Sequence, residues 1–222
     1  MKRRIRELGS RALSRLHKPV GKWNLQRELA RAESPLRIEL GAWTTTRLGW
    51  ISTDVHWRGR CYLDGTRTWP VPSNSASCIF ADNVIEHVGL QANRTLFREA
   101  LRVLQPGGVL RLVTPDIAAL VNLYEAGPDT AGPLRDELVD EGYLIAHQVD
   151  VLRFAFQDDG HHVGYLWDQA SLTSELADAG FINIHPCRPG ESSTQHLTGL
   201  ELRIDTPVAA IMLNIEASKP QG

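Results

Sequence analysis

The chain has 222 residues, of which 42% are hydrophobic and 23% are charged, and this balance predicts one globular domain, residues 1–222, with a sizeable core. No apolar run approaches the ~20 residues that cross a bilayer, which argues against a membrane span, and the basic N-terminus lacks the apolar stretch of a secretory signal. Three cysteines far apart in the sequence argue against a disulfide framework or a structural zinc site and favour a cytoplasmic protein.

Residues 1–30 are predicted to form a basic helical arm. Residues 1–22 contain eight lysines and arginines against Glu7 alone, a net charge of +7, whereas the remaining residues carry a net charge of −9. Such an arm can bind nucleic acid or anionic lipid, or dock on the acidic part of its own chain or of a second subunit in a homodimer. We favour docking, because a general nucleic-acid binder usually has a basic surface and because apolar residues recur in the arm at helical spacing. These residues are Ile5, Leu8, Leu13 and Leu16.

From residue 36 onward, short apolar runs alternate with helical stretches, which is typical of βαβ units. The sequence therefore predicts an α/β fold with a doubly wound, Rossmann-like, mostly parallel sheet of seven strands and a helical insertion at 125–165. The predicted strands are 36–40, 50–53, 61–63, 78–81, 109–114, 181–185 and 208–217. The predicted helices are 84–88, 93–104, 116–124, 134–156 and 168–179, the last closed by Gly180.

Small or acidic residues stand at the predicted carboxyl ends of these strands. In open parallel sheets this edge binds ligands, near the point where the strand order reverses. An acid after the second strand can accept hydrogen bonds from both hydroxyls of a ribose. A single such acid would more simply cap a helix, but five in one layer favour a ligand site. The residues are Glu39 with Gly41, Asp54, Asp64 with Gly65, Asp82 with Asn83, and Asp116.

Residues 36–124 resemble the cofactor half of the class I S-adenosylmethionine-dependent methyltransferases. IELGAW resembles their first motif, and STD matches the acid that holds the ribose. The most specific signals are the Glu-His pair in ADNVIEHV and the L-x-P-G-G turn in FREALRVLQPGGVLRLVTPD. Two later stretches, YLWDQASLTSELADAGF and GESSTQHLTGLE, are similar to one branch of small bacterial members. The resemblance covers most of residues 36–217.

The resemblance implies a binding site for S-adenosylmethionine and a role for each matched position. The first motif, at residues 39–43, would lie under the methionine and ribose, and the later acids would hold the ribose, the adenine and the sulfonium region. One departure is that a single glycine remains where the family has several, so Trp43 could either clash with the cofactor or form a wall of its pocket. The implied cofactor residues are Glu39, Leu40, Gly41, Ala42, Trp43, Asp54, Asp64, Gly65, Asp82 and Asn83.

Methyl transfer to an alcohol requires a group that removes the hydroxyl proton, and the candidate bases are His87, His147, His161 and His162. His87 could instead anchor a helix, and His147 could be a core histidine. The resemblance nevertheless implies that the insertion at 125–165, which contains His147, helps to form the acceptor site. A Mg²⁺ ion between Asp82 and Asp116 is a further hypothesis, because two carboxylates at adjacent strand ends repel unless a cation lies between them. The alternative is that Asp116 caps the following helix.

The acceptor that the resemblance favours is a hydroxyl of a sugar or oligosaccharide, since the chain is similar to mannoside O-methyltransferases of methylated polysaccharide biosynthesis. Aromatic side chains near the predicted cleft could stack on a sugar; they are Trp43, Trp57, Trp69, Tyr124, Tyr165 and Trp167. A non-catalytic partner protein on the methyltransferase fold is one alternative, and a methyltransferase acting on nucleic acid or on another small molecule is a weaker one. A nicotinamide dehydrogenase is disfavoured, because GAWTTTRLG lacks the G-x-G-x-x-G turn.

Overall fold

The computed structural model describes residues 2–158, 164–201 and 203–221, and it confirms the predicted α/β fold. One seven-stranded sheet has the order β3-β2-β1-β4-β5-β7-β6. The first five strands are parallel, and β7 is antiparallel to both of its neighbours. The strands are β1 Leu36–Leu40, β2 Ile51–Asp54, β3 Cys61–Tyr62, β4 Ala76–Asp82, β5 Leu104–Pro115, β6 Ile182–Pro186 and β7 Met212–Ser218.

Besides the strands, the described residues form six helices, three short 3-10 turns and one π turn. The helices are α1 Lys2–Arg31, α2 Leu90–Val103, α3 Ile117–Glu125, α4 Pro128–Asp140, α5 Asp150–Arg153 and α6 Gln169–Ala179. The 3-10 turns are Ile85–His87, Gln195–Leu197 and Pro207–Ile211, and the π turn is Phe154–Asp158. None of the described helices is both long and apolar enough to cross a membrane.

The main core lies between one face of the sheet and helices α1, α2 and α6. Leu96 and Phe97 of α2 are fully buried there, as is Leu172 of α6. Helix α6 begins at a capping box, in which the Asp168 carboxylate accepts the Ser171 N–H at 2.7 Å, and it ends at Gly180 with a φ of +103°. The predicted helix 168–179 is therefore confirmed almost to the residue.

The opposite face of β4 and β5 is covered by the segment 187–201 instead of a long helix. Phe80 and Val113 of the sheet pack against Leu197 and Leu200 of that segment. The fully buried Arg111 of β5 also connects this segment to the sheet, because it pairs with one glutamate in the segment and with one in β7. These are Glu201 and Glu216.

The prediction of one helical stretch over 134–156 is wrong. Helix α4 already begins at Pro128, because proline needs no N–H partner in the first turn. After α4 the chain turns at Gly142, whose φ is +95°. Asp150 then accepts the backbone N–H groups of Ala146 and His147, both at 2.8 Å, and a new short helix starts there. Helices α3, α4 and α5 enclose a second, smaller apolar core.

The predicted starts of β5 and β7 are wrong by five and four residues. Strand β5 begins at Leu104 rather than at residue 109, because Leu104 already pairs with Ala76 of β4. The Pro-Gly-Gly turn then forms an irregularity inside the strand, and regular pairing resumes where Val109 pairs with Cys78. The last strand begins at Met212 rather than at residue 208, because Pro207–Ile211 forms a 3-10 turn.

Candidate cofactor site

A cavity of about 630 Å³ opens at the carboxyl ends of β1, β2 and β4. This position is beside the switch between β1 and β4, where the fold places its ligands. The volume lies within the range of cavities that enclose small molecules and cofactors. Seven of the ten predicted cofactor residues line it: Leu40, Gly41, Trp43, Asp54, Asp64, Gly65 and Asn83.

Gly41 is required by its surroundings. Its φ is +68°, in the left-handed region that favours glycine, and a Cβ atom there would lie 2.3 Å from Cγ2 of Val84. The end of β1 therefore runs against the turn after β4, with no room for a side chain between them. This close approach forms the floor of the cavity.

Trp43 has a backbone conformation that suits glycine, with a φ of +51°. Its indole stacks on the His56 ring, with centroids 4.2 Å apart and planes inclined by 22°, and remains 49% exposed. The side chain forms part of the wall of the cavity.

Asp54, at the end of β2, is held by the loop that contains Trp43. Its Oδ2 accepts the Trp43 N–H at 2.8 Å, and its Oδ1 accepts the His56 N–H at 2.7 Å. Each carboxylate oxygen keeps further acceptor capacity, and the carboxyl faces the cavity. The geometry therefore leaves a fixed anion that can accept hydroxyl hydrogen bonds.

Asp64 follows β3 and is fixed by local contacts. Its Oδ1 accepts both the Thr66 N–H at 3.1 Å and the Thr66 hydroxyl at 2.6 Å, and its Oδ2 accepts from Arg67 Nε at 3.0 Å. The neighbouring Gly65 lies close to Leu96, since a Cβ atom there would meet Leu96 Cδ1 at 3.1 Å. The two residues shape the side of the cavity that faces β3.

Glu39 and Ala42 are not among the residues that line the cavity. The buried Glu39 carboxylate accepts from Arg47 Nε at 2.9 Å and from the Ser52 hydroxyl at 2.9 Å. The N–H of the buried Ala42 is donated to the carbonyl of Thr53 at 3.0 Å. Both residues therefore hold the loop after β1 in place rather than facing a ligand.

Asp82 also lies outside the lining, and its carboxylate pairs with Arg203 at 3.0 Å. Burial nevertheless raises the pKa of Asp82 above its ordinary value. Asp116 accepts the Ala118 N–H at 2.9 Å and caps α3, as the alternative reading of the sequence expected. Since a protein cation faces Asp82 and a helix end faces Asp116, the Mg²⁺ hypothesis gains no support, and the described residues contain no cluster of three or more metal-ligating side chains.

Among the described residues, His87 is the only predicted base that lines the cavity. His87 is 45% exposed at its side chain, and its Nε2 lies 4.0 Å from Oε1 of Glu86. His147 is exposed in the turn before α5 and is not a core histidine. His161 and His162 lie outside the described residues.

Sequence reasoning did not select Glu86, although the Glu-His pair marked its position. Its side chain is almost fully buried and accepts from the Thr114 hydroxyl at 3.2 Å. Burial raises the pKa of Glu86 to about 8. The Glu86 carboxyl group, which keeps its proton near neutral pH, therefore lies next to the His87 ring.

Of the six aromatic residues that were expected at the cleft, all of them described, Trp43 alone lines the cavity. Trp69 and Trp167 are 2% and 1% exposed and belong to the main core, so they cannot stack on an acceptor. Trp57 lies beside the stack of Trp43 on His56, with its ring centroid 5.6 Å from that of His56. Besides His87, the rings that line the cavity are those of Trp43, His56 and Tyr62.

The family of methyltransferase domains matches residues 56–112, which is less than half of the chain. The match runs from the end of β2 to β5, so it contains Asp64, Asn83, His87 and the L-x-P-G-G turn, but not the first motif or Asp54. A search of curated proteins gives no match.

Many solved structures share the fold. A Thermotoga maritima protein described as an S-adenosylmethionine-dependent methyltransferase aligns with a TM-score of 0.52 and 13% identity over 92% of each chain. A Bordetella parapertussis protein aligns with a TM-score of 0.51 and 11% identity, over 88% of this chain and 65% of its own. A complex of a Haloferax volcanii methyltransferase with the Trm112 activator aligns with a TM-score of 0.50 and 11% identity over 93% of each chain.

At these identities the structural likeness establishes the fold, which is the Rossmann-like fold of methyltransferases. The family match adds the methyltransferase domain over β3, β4 and the first part of β5. The match and the fold together support an S-adenosylmethionine-dependent methyltransferase.

Proposed function

We propose that the chain binds S-adenosylmethionine in the cavity at the ends of β1, β2 and β4 and methylates a hydroxyl group of a small molecule or saccharide. The observation that carries the proposal is the cavity itself, because its walls contain the fixed Asp54 carboxylate, Asp64 and the side-chain-free floor at Gly41. The bound cofactor would supply a methyl group on a positively charged sulfur.

The donor half of the site fits a nucleoside with an amino acid attached. Asp54 would accept the ribose hydroxyls, because both of its oxygens are held in place by backbone N–H groups. Asp64 would accept from the amino group of adenine. Gly41 would let the backbone approach the ligand closely.

The acceptor half of the site rests on His87. This side chain faces the same cavity and is half-exposed, so it can reach an acceptor that enters from solvent. As a neutral imidazole, His87 would take the hydroxyl proton while the acceptor oxygen is aligned with the methyl group. His147, His161 and His162 remain predictions as bases.

A saccharide is the acceptor class that we favour, on the resemblance of the sequence and on the exposed face of Trp43 beside the cavity. The carboxylates that could hold Mg²⁺, Asp82 and Asp116, have other partners in the structure, so we propose catalysis by His87 without metal assistance. The single-domain organisation and the acceptor role of residues 125–165 remain predictions.

Calorimetric titration with S-adenosylhomocysteine tests the donor site. We expect the chain to bind in the micromolar range, and we expect Asp54→Asn to weaken binding by about tenfold to a hundredfold, the effect of losing a charged hydrogen-bond acceptor. Asp168→Asn is the matched control, because Asp168 also accepts a backbone N–H but lies at the start of α6 and outside the cavity. No binding by the unaltered chain would instead favour a non-catalytic partner protein.

An acceptor screen with sugars and other alcohols then tests the chemistry. His87→Gln is expected to lower kcat by about 10²-fold or more while S-adenosylhomocysteine still binds. Methyl transfer that is unchanged in His87→Gln would refute the role of His87. A loss of transfer on adding EDTA would restore the Mg²⁺ hypothesis.

A further inference from the structure

Helix α1 is fixed to the sheet by one of its faces. Gly21 and Leu25 are buried against the edge formed by β2 and β3. His17 Nε2 donates to the Gly59 carbonyl at 2.8 Å, and Asn24 Nδ2 donates to the Arg60 carbonyl at 3.0 Å. These contacts set the rotation of the helix about its axis, so the adjoining face, about a quarter turn away, is exposed to solvent. We call this exposed face the outer face of α1.

That outer face carries a continuous apolar stripe. Its four members recur at intervals of three and four residues, which places them on one side of a helix. Each is about half exposed or more, although large apolar side chains are ordinarily buried. They are Leu13 at 46%, Leu16 at 75%, Val20 at 54% and Trp23 at 54% exposed.

Basic side chains accompany the stripe. Arg15 and Lys22 are exposed beside it, and the Arg27 guanidinium lies 4.4 Å from the centre of the Trp23 ring. Residues 1–22 carry a net charge of +7. Helices that lie in the headgroup region of a bilayer typically combine an apolar stripe that contains tryptophan with basic side chains nearby.

We propose that the outer face of α1 binds the surface of an anionic lipid bilayer, with the stripe from Leu13 to Trp23 entering the headgroup region and the basic side chains meeting lipid phosphates and carboxylates. The cavity at β1, β2 and β4 belongs to the same rigid sheet that α1 packs against. The proposal does not depend on the proposed function, because it concerns only the surface of the helix.

A second copy of the chain fits this face less well. The four apolar residues have the a/d spacing of a coiled coil, but it lasts only two heptads, and the preceding a and d positions are occupied by Arg6 and Gly9. A symmetric pair of α1 helices would also bring two segments of charge +7 together, and these repel. Nucleic acid would engage the basic side chains and leave the apolar stripe in water.

Co-sedimentation of the full chain with vesicles tests the proposal. We expect binding to phosphatidylcholine vesicles that contain phosphatidylserine, little binding to phosphatidylcholine alone, and weaker binding as salt is raised. Leu16→Glu is expected to weaken binding by about tenfold or more, because it removes a buried leucine from the bilayer contact and places a charge there.

The matched control is Leu144→Glu, which makes the same change at a leucine of almost the same exposure, 77% against 75%, far along the chain from α1. Both variants should keep the circular dichroism spectrum and the melting temperature of the original chain, since both side chains are exposed. The proposal is overturned if the chain does not pellet with phosphatidylserine vesicles, or if the two variants bind them equally. It is also overturned if Leu16→Glu turns a dimer into a monomer in light scattering without changing vesicle binding.

Discussion

Replacing Gly41 by alanine tests whether the floor of the cavity depends on a missing side chain. Two costs are expected. A non-glycine residue at a φ of +68° costs about 1–2 kcal/mol, and the smaller entropy of the unfolded chain returns about 0.4–1 kcal/mol of this. In addition, a Cβ atom 2.3 Å from Val84 Cγ2 forces one of them to move, and such overpacking costs about 1–3 kcal/mol.

Gly199→Ala separates the two costs. Gly199 has the same φ of +68°, but nothing lies within 4 Å of the position of its Cβ. Urea unfolding followed by tryptophan fluorescence should therefore show that Gly41→Ala is less stable than Gly199→Ala by the overpacking cost alone, about 1–3 kcal/mol. Adding Val84→Ala to Gly41→Ala should recover part of that difference. Equal stability of the two alanine variants would refute the close approach between β1 and the turn after β4.

Three further changes test other features of the structure. Trp43→Val should be less stable than Trp43→Gly by about 1–2 kcal/mol in urea, because only glycine accepts a φ of +51° without cost, and equal midpoints would contradict this strain. Because burial raises the pKa of Glu86 from 4.5 to about 8, the folded state keeps a proton that the unfolded state releases, and stability should fall as the pH rises from 4.5 to about 8. Glu86→Gln should flatten that part of the profile of unfolding free energy against pH, and an unchanged slope would show that Glu86 titrates normally. Arg111→Met should cost about 3–5 kcal/mol in urea unfolding, since it leaves the carboxylates of Glu201 and Glu216 buried without their cation; a loss below about 1 kcal/mol, as at a surface pair, would contradict the buried cluster.

The elements that the sequence predicted best are those whose signals are local. Helix α6 combines an apolar period with a cap at Asp168 and a terminal glycine, and its bounds were predicted almost to the residue. The break between α4 and α5 depends instead on the Asp150 carboxylate accepting two backbone N–H groups. An apolar period continues through such a break, so periodicity alone could not reveal it.

The predicted residues that line the cavity follow from topology, because acids at the ends of parallel strands must meet at one edge. Asp82 differs from the others because its partner comes from a distant part of the chain, whereas Glu39 pairs with Arg47 only 8 positions away. Arg203 reaches Asp82 across 121 positions of sequence, and a distant arginine leaves no pattern near the carboxylate that it neutralises. The argument for Mg²⁺ from repulsion between carboxylates therefore lacked the cation that the fold supplies.

The first motif contains fewer glycines than in the family because the described residues between β1 and β2 form no helix that packs on the sheet. In dinucleotide-binding folds the glycine-rich turn opens a helix, and one glycine serves the close packing of that helix on the sheet. Residues 41–50, all of which are described, form turns and no helix between β1 and β2. The segment 187–201 covers the neighbouring face instead, and Arg47 donates to its Leu200 carbonyl at 2.7 Å. Gly41 at the end of β1 is still constrained by a close contact with Val84. The other glycines of the motif have no helix to pack, so their absence reflects the missing helix and leaves the cavity open.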